Sequence, residues 1–75
     1  QKEAYALRSE IYLKLNQPEE ALEDLSTVIR ADPTNLAALV TRAKLYQERS
    51  QGRLAKEDFE RACVLGSNSS CEQLP

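Results

Sequence analysis

The sequence predicts an all-α fold, an α-solenoid of antiparallel helix hairpins, and three observations carry that prediction. Gly52, Gly66, Pro18, Pro33 and Pro75 are the only glycines and prolines in 75 residues. The stretches between them are rich in Ala, Leu, Glu, Lys, Arg and Gln, the residues that lose least on entering a helix. Apolar side chains in those stretches recur at i, i+3, i+4 and i+7, the period of one helix face.

The elements follow in order. From Ala4 to Leu15 the spacing predicts a helix whose apolar stripe takes in Ala4, Tyr5, Leu7, Ile11, Tyr12 and Leu15. Pro18 followed by Glu19 and Glu20 is a helix start, since proline is tolerated in the first turn and acids are favoured by the N-terminal dipole. That second helix carries Ala21, Leu22, Leu25, Val28 and Ile29, and Asp32-Pro33 should end it, because the residue before a proline is pushed out of helical geometry. A third helix begins after Asn35, a good cap, and carries Leu36, Leu39, Val40, Ala43, Leu45 and Tyr46. Gly52 is expected to break it. A fourth carries Leu54, Ala55, Phe59, Ala62, Cys63 and Leu65, with Gly66 just past its end as a left-handed cap. Ser69 and Glu72 have capping-box spacing for the start of a last helix over about 69–75.

Length and composition limit what such a chain can be. At 8.4 kDa the chain, residues 1–75, is one small domain that buries only about 60% of the surface its unfolded form exposes. Ten basic and twelve acidic residues give a net charge of -2. With no block of like charge, the electrostatic footprint of a nucleic-acid binder is missing. No apolar run approaches the ~20 residues of a membrane span. There is no His, which removes most metal sites and most ways of activating a nucleophile. No cofactor is expected.

The helices repeat. A shift of 34 residues aligns Ala4 with Ala38, Arg8 with Arg42, Tyr12 with Tyr46, Gln17 with Gln51, Ala21 with Ala55, Glu23 with Glu57 and Asp24 with Asp58. Apolar positions stay in register too, Tyr5 with Leu39, Ile11 with Leu45, Leu25 with Phe59 and Val28 with Ala62. Small Ser9 meets small Ala43. Two antiparallel helices cross closely only where both contribute little side chain, so Ser9 should face Ala21 and Ala43 should face Ala55. Tyr12 and Tyr46 then fill the space beside each crossing.

This period and pattern resemble the tetratricopeptide repeat, over essentially the whole chain. The resemblance divides it into one repeat at about 2–35, a second at about 36–69 and a partial capping helix at about 69–75. Asp32-Pro33-Thr34-Asn35 is similar to the family's inter-repeat link, whereas Gly66-Ser67-Asn68-Ser69 lacks its proline. The family's fold implies a superhelix whose first helices line a concave groove for a partner peptide. Carried across position by position, that groove is Glu3, Ala6, Glu10 and Leu13 in the first repeat and Ala37, Val40, Lys44 and Gln47 in the second. One branch of the family clamps acidic C-termini with Lys and Asn at set positions. Those positions here hold Ala6, Glu10 and Thr41, so that clamp is missing. An amphipathic helix or a mixed-charge extended segment of another protein fits better. The expected function is therefore a protein–protein interaction scaffold. The alternative is a structural segment of a longer array with no peptide ligand of its own, and a homodimer is a further partner class.

Catalysis is not expected. Glu19, Glu20, Glu23 and Asp24 cluster on the second helix, where they read as a solvated charged face. Arg8 with Asp24 and Arg42 with Asp58 recur in the same register, either as a bridge across each hairpin or as separate solvated charges. In either case the role is structural.

The two cysteines close the reading. Cys63, late in the fourth helix, and Cys71, at the start of the next, are spaced as in the cysteine-rich branch of the Sel1-like repeats, which resemble hairpins stapled by a disulfide. A link folding back at Gly66 is compatible with the ~5.5–6 Å between Cα atoms that such a bond prefers. The alternative is two reduced thiols, with Cys63 packing as a small hydrophobe at the position aligned with Ile29. Asn68-Ser69-Ser70 is a glycosylation sequon. The compartment is unknown. The disulfide, if formed, leans to an oxidising, extracytoplasmic one.

Overall fold

A computed structural model describes residues 2–74. Five helices follow one another: α1 (Lys2–Lys14), α2 (Pro18–Ala31), α3 (Leu36–Glu48), α4 (Gly52–Val64) and α5 (Asn68–Glu72). No strand occurs among the described residues. α1 packs on α2, α2 on α3, α3 on α4 and α4 on α5, so each helix rests on its neighbours in sequence. This is the expected solenoid of antiparallel hairpins. α5 ends at Glu72, short of the helix expected over about 69–75, of which Pro75 lies outside the described residues.

The core forms where the repeat places small and apolar residues together. Ala21, Leu25, Val28 and Ile29 of α2 meet Ala38, Leu39 and Leu45 of α3 and Ala62 of α4, with Tyr5, Tyr12 and Leu13 of α1 packed on their flank. A second cluster joins Ala43, Ala55 and Phe59, with Tyr46 and Leu74 against it. Ser9, Ala21, Ala43 and Ala55 are all buried, as two close helix crossings require. The Ser9 hydroxyl satisfies itself within its own helix by donating to the Ala6 carbonyl at 2.6 Å.

Helix ends follow local chemistry, with corrections. α2 begins at Pro18, and the Asn35 side chain accepts from the Ala38 amide to cap α3, as expected. Gly52 does not break α3. That helix ends at Glu48, and Gly52 is the first residue of α4, 34 residues after Pro18. The reversal is made by Ser50 in left-handed geometry (φ 62), matching Asn16 (φ 59) in the first hairpin. Each sits in the same pair of hydrogen bonds. Asn16 and Gln17 amides donate to the Leu13 and Tyr12 carbonyls, and Ser50 and Gln51 amides to those of Gln47 and Tyr46. This is the Schellman closure of a helix, and Gly66 (φ 110) makes it a third time after α4. α5 is capped by Ser67, which accepts from the Ser70 amide, rather than by Ser69. The Schellman turn at Gly66 brings the chain back into helix two residues sooner than the capping-box spacing implies.

The expected stripe on α1 is corrected as well. Leu7, Ile11 and Leu15 are 61%, 49% and 61% exposed, and α1 buries Ser9 instead. Ile11 aligns with the buried Leu45, which α2 helps to cover. Nothing among the described residues covers the corresponding face of α1. Leu65, expected on the apolar side of α4, follows the last helical residue and is exposed.

Candidate interaction surface and its supports

Two clefts open between α1 and α3, and they collect most of the groove residues read from the sequence. The first, about 120 Å³, is lined by Ala6 and Glu10 of α1 and by Ala37, Ala38 and Thr41 of α3 and its neighbours. The second, about 360 Å³, is lined by Leu13, Lys44, Leu45 and again Thr41. Thr41 thus joins the two. Glu10 and Lys44 are exposed, while Ala6 and Leu13 are half-buried, so the strip offers apolar ground with one acid and one base on it. Val40 packs against the core beneath, and Glu3 is exposed in the first turn of α1. Gln47 is not brought to this strip. It lines a separate depression with Gly52, Ala55, Lys56, Phe59 and Gln73, since the end of α3 faces α4.

A larger depression, about 610 Å³, lies elsewhere, between Pro33 of the inter-hairpin link and Glu57, Glu60, Arg61, Val64 and Leu65. Sequence reasoning did not single it out. The signal was Val64 beside Leu65, two large aliphatic residues at a helix end, of which Val64 is 85% exposed.

What holds α1 and α3 in place is the repeated arginine–aspartate pair. Arg8 grips Asp24 through Nε and Nη2 at 2.8 and 2.7 Å. Arg42 grips Asp58 in the same way at 2.7 and 2.9 Å. Such fork-shaped, charge-assisted pairing fixes geometry as well as energy. The guanidinium of Arg8 lies 5.3 and 5.7 Å from the ring centres of Tyr5 and Tyr12. That of Arg42 lies 5.6 Å from Tyr46. The hydrogen bond to the aspartate, more than any other cause, holds both arginines above their ordinary range. Both bridges are therefore formed, and the solvated-face reading of Asp24 is corrected. Glu19, Glu20 and Glu23 are exposed, but Asp24 and Asp58 are buried. The clue was their register. Asp24 stands three residues after Ala21 and four before Val28, on the face that faces inward.

At the other end the sulfurs of Cys63 and Cys71 lie within bonding distance, with their Cα atoms 4.7 Å apart, the placement a disulfide would need. Such a bond would tie the end of α4 to α5, and Leu74, just beyond α5, packs on the Phe59 cluster. No group of three or more His, Cys, Asp or Glu among the described residues is arranged to hold a metal ion. No described helix is long and apolar enough to cross a membrane.

Comparison with known proteins agrees with this architecture. Over 70 residues the chain is 33% identical to the mouse (Mus musculus) protein DnaJ homolog subfamily C member 7, covering 93% of this chain and 14% of that protein. The chain therefore spans about a seventh of that relative's length. The Sel1-like resemblance of the C-terminal part lies outside the residues that match a family. Residues 2–35, the first hairpin with its link, match the family model described as tetratricopeptide repeat.

Proposed function

We propose that this chain is a protein–protein interaction scaffold, rather than an enzyme, that receives a peptide or helical segment of a partner along the α1–α3 face. The observation that supports this most is the pair of clefts joined at Thr41, which carry five of the eight expected groove residues, Ala6, Glu10, Leu13, Ala37 and Lys44. A segment lying there meets an apolar floor, with Glu10 to attract a base and Lys44 to attract an acid. Charges placed this way choose register and partner more than they add affinity.

The second reading, a structural segment stacked in a longer array or on a second copy, is favoured by one observation, the uncovered row Leu7, Ile11 and Leu15 on the outer face of α1. The two readings separate by charge substitution. Lys44→Glu and Leu13→Glu are expected to weaken capture of the partner by at least tenfold in a quantitative pull-down, while Leu7→Glu leaves it unchanged. Circular dichroism of each variant confirms that the helices persist. Loss with Leu7→Glu and retention with Lys44→Glu would overturn the groove reading in favour of the stacked one.

A further inference from the structure

We propose that Asn68 is an N-linked glycosylation acceptor, and that the sugar is added before α5 folds against α4. Asn68-Ser69-Ser70 has the acceptor pattern, an asparagine two residues before a serine with no proline between. Such triplets are common, so the weight falls on where the fold puts this one. Asn68 is the first residue of α5 and is exposed. A bulky, hydrated group is tolerated at such a site, and the α1–α3 clefts, lined by residues of the first three helices and their links, stay open. The triplet also lies inside the segment closed by the Cys63–Cys71 disulfide. Thiols that pair this way do so in oxidising, exported environments, which is also where sugar is transferred to asparagine.

The folded structure dictates the order of events. Ser70, whose hydroxyl completes the acceptor, is 1% exposed. Its Oγ accepts from the Ser67 hydroxyl at 2.9 Å, and its amide donates to Ser67 Oγ at 3.3 Å. An enzyme that must reach the Asn68 amide and the Ser70 hydroxyl together cannot do so once Ser67 has capped α5. Transfer therefore takes place on the open chain. Asn68 Nδ2 attacks C1 of an oligosaccharide carried on a lipid pyrophosphate. The C1–Nδ2 bond forms as the bond from C1 to the pyrophosphate oxygen breaks. The lipid pyrophosphate leaves, and one Nδ2 proton passes to a base of the transferring enzyme. Closure follows, with the two thiols giving two electrons and two protons to the disulfide of an exchange partner.

The test uses the protein isolated from the cells that make it. A glycan-releasing amidase in heavy-oxygen water should remove the mass of one oligosaccharide and leave a heavy carboxylate at position 68. Asn68→Gln, conservative and at an exposed site, should abolish the shift, and Ser70→Thr should keep it. In pulse-labelled cells the sugar should first appear on chains whose cysteines still react with an alkylating reagent. An unmodified residue 68 in the wild-type protein, or a shift that survives Asn68→Gln, overturns the acceptor assignment. Sugar appearing first on chains already closed by the disulfide overturns the order.

Discussion

The two hairpins carry the same arginine–aspartate pair at the same spacing, yet the pairs sit in different surroundings. The Arg8 side chain is 52% exposed and that of Arg42 only 15%, while both aspartates are buried alike. The difference comes from position in the stack. α3 lies between α2 and α4, and Arg42 gains a further partner across the hairpins, donating from Nη1 to Ser26 Oγ at 3.1 Å. Among the described residues α1 packs chiefly on α2. Identical local chemistry thus becomes an inter-hairpin tie in one repeat and a surface clasp in the other. In a linear stack, burial is set by neighbours rather than by the repeat itself.

Breaking the two pairs should expose that contrast, with the largest effect in the second hairpin. Arg42→Ala strands Asp58 in the interior and should cost about 3 kcal/mol, enough to unfold much of so small a domain. Arg8→Ala should cost clearly less, because water reaches the site the guanidinium vacates. Urea denaturation of the two variants, followed by circular dichroism, gives the ordering. Equal losses would show that the stack contributes nothing to the difference.

The turns sharpen the comparison at a smaller scale. Asn16 and Ser50 hold the same left-handed position. Asparagine is several-fold enriched among left-handed residues, whereas serine has no such allowance. Ser50→Gly should therefore stabilise the chain by about 1 kcal/mol, with less gain from Asn16→Gly. Thermal melts of both variants measure this, and a loss of stability at Ser50→Gly would count against the turn as described.

The smallest effect concerns the two links. Asp32 is held below the ordinary aspartate value of 3.8, chiefly by the hydroxyl of Thr34, which donates to Oδ1 at 2.9 Å, and then by Lys2. The second link, Leu65-Gly66-Ser67, contains no carboxylate. A carboxylate whose folded value is lowered contributes stability above its unfolded value, and that contribution is lost as pH falls through the folded one. The loosening should thus be confined to acid below about pH 4 and to the first link. An NMR titration of Asp32 should give a midpoint under 3.8, and Thr34→Val should move it upward. No movement would remove Thr34 as the main cause.

Much of this was legible in the residues themselves. The 34-residue correspondence located both hairpins, and Pro18, Asn35 and Gly66 marked helix ends because each acts through its own backbone or side chain within a turn of itself. The small residues of the two crossings followed from the repeat, and five of the eight groove residues that the family resemblance implied line the two clefts. What was not legible depended on neighbours. Gln47 left the strip because the end of α3 turns toward α4. Ser50 took the left-handed position because two backbone hydrogen bonds demanded it, whatever its own preference.

The amino-acid order alone determined that the chain is helical, that it repeats and where its small residues must lie, because propensity, period and capping are short-range properties of a chain. Only the tertiary structure decided that Asp24 and Asp58 go inside while Leu7, Ile11 and Leu15 stay outside. A helix wheel shows which residues share a face but not what that face meets. An acid can be buried where an arginine from the preceding helix reaches it in fork geometry, and an apolar row stays uncovered where none of the described helices reaches it.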